Sequence, residues 1–98
     1  DRTVVFITFD ENGGWWDHVA PPKADRWGPG SRIPALVVSP HARRGHVDHS
    51  VYDTGSILRF ITRRFGLEPL PGLVERERAM HAASGVVPGD LTAALALG

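Results

Sequence analysis

From Thr3 to Phe9 the chain reads Thr-Val-Val-Phe-Ile-Thr-Phe, almost unbroken β-branched and aromatic residues, and then stops on Asp10-Glu11-Asn12-Gly13-Gly14. A run of this kind, without polar alternation, predicts a central strand buried on both faces, as inside an α/β sheet. The abrupt polar stop sets two carboxylates at the strand's carboxyl end, where open α/β sheets bind their ligands. A connection from Trp15 to Ser31, rich in Pro, Gly and Trp, follows. Structureless loops of that length within a domain are usually functional. Ile33 to Ser39 predicts a second buried strand, with Pro34 tolerable only near its start and Pro40 ending it.

Beyond Asp53 the period changes. Ile57, Leu58, Ile61 and Phe65 fall on one face at helical spacing, while Arg59, Arg63 and Arg64 point elsewhere. Asp53 or Ser50 would cap this helix. Gly66 is placed as its left-handed C′ residue, with Leu67 packing back. Pro69, Pro71 and Gly72 then break the chain, Leu73 to Ala83 predicts a weak charged helix, and Asp90 would cap a short Leu/Ala helix reaching Leu97. Strand, loop, strand, loop, helix is the order of an α/β layer. Two strands need more partners than this chain supplies, so the sheet is expected to be incomplete. The chain opens on Asp-Arg directly before the strand pattern, and residues 1–98 read as a fragment that starts mid-domain.

Composition narrows the function classes. The 98 residues suffice for one core but not two. Eleven basic and eleven acidic residues balance, so no net field favours nucleic acid or an anionic membrane. No stretch reaches the run of about 18 apolar residues expected of a membrane span. The absence of cysteine removes thiolate sites and leaves the redox compartment open, so any metal here would take oxygen or imidazole ligands.

Hard divalent cations prefer carboxylate oxygen, and a strand ending in Asp-Glu before two glycines can aim both side chains at one point. Asp10 and Glu11 are therefore the candidate metal ligands. The bland alternative is that they simply begin a turn, for which Asp, Asn and Gly are common residues.

Thr8-Phe9-Asp10-Glu11-Asn12-Gly13-Gly14-Trp15-Trp16-Asp17-His18-Val19-Ala20-Pro21-Pro22 resembles the T-[FYW]-D-E-x-G-G-x-[FYW]-D-H-V-x-P-P segment of the bacterial phosphoesterase family of phospholipases C and acid phosphatases. In register, Arg32 to Pro40 is similar to the family's R-[IV]-P-x-x-[VI]-x-S-P strand, and Val47 to Leu58 to its V-x-H-x-x-[YF]-x-[HT]-x-S-[IV]-L helix start. The likeness covers residues 1 to about 70. It implies part of an alkaline-phosphatase-like three-layer α/β/α sandwich, with residues 1–98 as the carboxy-terminal portion of a phosphoesterase domain. It also implies a phosphoric-ester hydrolase in which Asp10 and Glu11 hold a divalent metal ion. The implied partners are a phosphoester substrate, with a phospholipid among the options, and the rest of the parent domain. Relatives are commonly secreted or periplasmic. The family's Ser or Thr nucleophile and amino-terminal ligands lie in earlier segments, so Ser39, Ser50 and Ser56 are not promoted to nucleophile.

Two histidines are candidates for catalysis. His18 either faces the substrate or leaving oxygen, or with Asp17 ties the long loop to its neighbours. His49 precedes the helix where related metallohydrolases often carry a ligand or phosphate-contacting histidine; otherwise it caps or faces solvent. Asp17 is a carboxylate behind the ligands or a loop-fixing acceptor. Trp15 and Trp16 either wall an apolar leaving group or pin the loop. His41, His46 and His81 match no chemical pattern. Two rivals stay open: a non-catalytic cation- or ligand-binding remnant, and a sulfatase or nucleotide phosphodiesterase of the same fold. The D-E-x-G-G form, rather than D-H-G, argues against the second.

Overall fold

The computed structural model describes residues 1–97. The first apolar run forms β1 (Val5–Thr8) and the second forms β2 (Ala35–Val38). They pair antiparallel, with Val5 opposite Val38, Phe6 opposite Val37, Ile7 opposite Leu36 and Thr8 opposite Ala35. This register sets the start of β2 beside the end of β1, so the long connection between them leaves and returns at the same end of the sheet. The Thr8 hydroxyl reinforces that junction by donating to the Pro34 carbonyl at 3.0 Å. At the opposite end the Ser39 hydroxyl donates to the Thr3 carbonyl at 2.8 Å.

The strand expected to be central and buried on both faces is covered on one. Phe6 turns toward Phe60 of the first helix, ring edge to ring face with centroids 5.1 Å apart, a geometry that aromatic quadrupoles favour. Alternation then sends Val5, Ile7, Leu36 and Val38 to the other face, where they are 44%, 49%, 62% and 56% exposed. Among the described residues the sheet has two strands and β1 pairs with β2 alone.

The helix beginning after Asp53 forms as its pattern predicts: α1 spans Thr54–Phe65. Asp53 sits at the N-cap with extended backbone, and the buried Ser56 hydroxyl accepts its N–H at 3.1 Å. At the other end Gly66 takes φ 62°, which an L side chain resists. There the Leu67 N–H donates to the Thr62 carbonyl at 2.8 Å and the Gly66 N–H to Arg63, the Schellman arrangement that closes a helix. The Leu67 side chain itself stays 56% exposed.

Pro71 does not break the chain but starts α2 (Pro71–Ser84), since a residue at the first helical position needs no N–H partner and has the φ that proline fixes. An Arg59–Glu77 fork links α2 to α1, and Met80 is fully buried. The expected Leu/Ala helix at the end of the chain is instead one 3₁₀ turn, Thr92–Ala94. Backbone partners explain the difference. The Ala96 N–H donates to the His41 carbonyl at 2.7 Å and the Ala94 carbonyl accepts the Arg43 N–H at 3.0 Å, so these groups pair across to the segment after β2 rather than along a helix. Leu91, not Asp90, is the N-cap of this turn; Asp90 sits one residue earlier and accepts the Thr92 N–H at 3.0 Å. Leu91 and Leu95 are buried on either side of that turn.

Candidate functional site

Just beyond β1 the chain folds into a hydrogen-bonded turn. The Gly13 N–H donates to Glu11 Oε2 at 2.9 Å, the Gly14 N–H to Asn12 Oδ1 at 3.0 Å, and the Trp15 N–H to the Asn12 carbonyl at 3.1 Å. Gly13 and Gly14 hold φ at 64° and 81°, a conformation nearly reserved for glycine and one that lets the chain reverse tightly here. Asp10 and Glu11 are both exposed, at the carboxyl end of β1. Turn and carboxylate display are thus one structure, because Glu11 commits one oxygen to the turn and keeps the other as an acceptor.

Asp17 is the best-anchored carboxylate nearby. Arg32 donates to it through Nε at 2.7 Å and Nη2 at 2.9 Å, and the Val19 N–H donates at 3.1 Å. The Arg32 fork first, then the Val19 N–H, hold the Asp17 carboxyl well below the usual carboxylate range. His18 follows, its Nδ1 3.5 Å from Asp17 Oδ1 and its side chain 76% exposed. Trp15 and Trp16 are 81% and 86% exposed, so within this chain the loop is pinned by Asp17 and Arg32, not by the tryptophans.

His49 is exposed on the stretch before α1, and the helix takes Asp53 rather than His49 as its cap. Its neighbour Asp48 accepts the Ser50 N–H at 2.9 Å and the Tyr52 hydroxyl. Among the described residues no group of three or more His, Asp or Glu side chains could hold a metal ion. Asp10 and Glu11 have the oxygen donors that a hard cation prefers, yet such ions take about six oxygen ligands. The pair fits as part of a coordination set and does not complete one.

Sequence reasoning missed Arg32 as the partner of Asp17. Both lie in matched motifs, but a contact across fifteen positions carries no local signal.

The chain is mixed α/β, with the Asp10–Glu11 pair on a turn at the carboxyl end of β1. Residues 1–68 match the Phosphoesterase family, and the chain belongs to that family. It is 32% identical over 124 residues to the non-hemolytic phospholipase C of Pseudomonas aeruginosa, covering 95% of this chain and 17% of the relative. The non-hemolytic phospholipase C of Burkholderia pseudomallei is 34% identical over 125 residues, covering 95% and 16%. Phospholipase C A of Mycobacterium tuberculosis is 30% identical over 118 residues, covering 96% and 21%. The chain therefore spans about a fifth or less of the length of these relatives. No solved structure matches significantly.

Proposed function

We propose that the full-length protein containing this chain is a metal-assisted phosphoric-ester hydrolase of the phospholipase C and acid phosphatase type, built on an alkaline-phosphatase-like α/β/α sandwich. The observation that carries this reading is the Asp10–Glu11 pair displayed at the end of β1 by a glycine turn, inside the segment matched to the family. The relatives' names favour a phospholipid head-group ester over a simple monoester.

Asp10 and Glu11 would hold the divalent cation, with the remaining ligands and the Ser or Thr nucleophile coming from outside these residues. When bound, such an ion polarises the phosphoryl oxygen and neutralises developing charge. The chain's own contribution is positional. The Gly13 N–H orients the Glu11 carboxylate, and the turn fixes its spacing from Asp10. His18, exposed beside the anchored Asp17, would hold or deliver a proton at the leaving oxygen, and His49 would serve from the stretch before α1.

Hydrolysis of p-nitrophenylphosphorylcholine and p-nitrophenyl phosphate by the full-length protein, with and without divalent metal, tests this. Asp10→Ala and Glu11→Ala should each cut kcat/KM by about 100-fold or more, beyond the typical loss for a residue that only supports a ligand. Parent-like rates in folded variants would reduce the pair to turn residues. The incomplete ligand set favours one second reading, a cation-binding remnant without catalysis. Metal binding without turnover of either ester would select it.

A further inference from the structure

We infer that Asp17 and Arg32 are a positioning pair for the Asp10–Glu11 carboxylates, closing the turn into a ring whose integrity sets how tightly a cation is held; this rests on the metal-ligand reading above. The ring is traced by contacts already described. It runs from Thr8 along the chain to Asp17, crosses the guanidinium fork to Arg32, and returns through Ile33 and Pro34 to Ala35, which lies opposite Thr8 in the sheet. The Thr8 hydroxyl on the Pro34 carbonyl closes it a second time at the same corner. Asp10, Glu11 and both turn glycines lie inside the ring. His18 to Ser31, the remainder of the long connection, lies outside it.

Both Asp17 oxygens are engaged within the loop. Oδ1 accepts both the Val19 N–H and Arg32 Nη2, and Oδ2 accepts Arg32 Nε. Arg32 in turn commits its Nε and one Nη2 N–H to this carboxylate. Their geometry is the two-point fork in which arginine and carboxylate fix each other's orientation as well as their distance. An ion pair on an exposed loop adds little to global stability, so its effect falls on the segment it closes. Without it the carboxylates would hang from β1 by one end only. The bound ion would then have to order the loop itself, and affinity would drop by the cost of that ordering.

The test uses the full-length protein stripped of metal, with Mn²⁺ binding followed by calorimetry and Mn²⁺-dependent hydrolysis of p-nitrophenylphosphorylcholine measured alongside. Arg32→Ala and Asp17→Ala should each weaken Mn²⁺ binding by about tenfold, the scale of a partner behind the ligands. The double variant should be no worse than either single, since the two side chains act as one clamp. At saturating Mn²⁺ kcat should return close to the parent's, which a general loss of structure would not allow. Arg32→Lys keeps the charge but loses the fork; it carries the same test if the alanine variants fail to fold, with weakened binding again expected. Parent-like Mn²⁺ affinity in these variants, with Asp10→Ala abolishing binding, overturns the positioning role alone. Unchanged binding in Asp10→Ala overturns the metal reading and this inference with it.

Discussion

Asp90 shows how one carboxylate can be held ionised by its surroundings. Burial works against its charge, but the Thr92 hydroxyl and N–H and the Arg63 guanidinium outweigh that and bring its pKa down to about 2. A carboxylate whose pKa is lower in the folded state contributes stability above its unfolded value near 4, and loses it as pH falls toward the folded one. Thermal unfolding of the parent should therefore show a loss of Tm between about pH 4 and pH 2 that Asp90→Asn diminishes. Arg63 is largely exposed, so added salt should shrink the effect. At Gly13 the constraint is conformational. A side chain there would be strained at φ 64° and its Cβ would meet the Trp15 ring at 3.4 Å. Gly13→Ala should weaken cation binding and ester hydrolysis together while lowering the unfolding free energy by no more than about 2 kcal/mol, the range of a single left-handed residue.

Among the elements, α1 is the one most fully specified by its own residues. Its apolar spacing, the Asp53–Ser56 cap and the Schellman close at Gly66 all agree, and such agreement across levels is what makes a segment fold reliably. Gly66→Ala should cost about 1 kcal/mol, read from urea unfolding of the parent, because alanine must adopt φ 62° or give up the Thr62 carbonyl bond. α2 is the opposite case. Its charged and apolar residues do not sort into clear faces, and its place follows from the Arg59–Glu77 fork and the burial of Met80. The final segment shows the same dependence, since Leu95 bridges to Ala42 instead of extending a helix.

As a whole the chain exposes 7502 Å², against about 5,500 Å² expected for a self-contained monomer of 10.7 kDa. Its radius of gyration, 14.1 Å, likewise exceeds the roughly 13 Å usual for 100 residues. The excess surface includes the open sheet face of Val5, Ile7, Leu36 and Val38. The isolated 98-residue chain should then bind the dye ANS and unfold over a broad temperature range, as loosely packed chains with exposed apolar surface do. A sharp calorimetric transition without dye binding would show that it folds alone. No helix of the described residues is long and apolar enough to cross a membrane.

What the sequence by itself determined is local in origin. The two β-branched strands, the α1 helix with its caps, and the carboxylate-bearing glycine turn all follow from side-chain periodicity and backbone preference within a few residues of each position. The family was legible there too, in the run from Thr8 to Pro22. Tertiary structure decided the rest. Antiparallel pairing of β1 with β2, the choice of Arg32 to hold Asp17, the one-sided cover of the sheet and the turn at Thr92–Ala94 join residues far apart along the chain. Such contacts depend on which surfaces and backbone groups meet once the chain is folded, and no local window of sequence encodes that meeting.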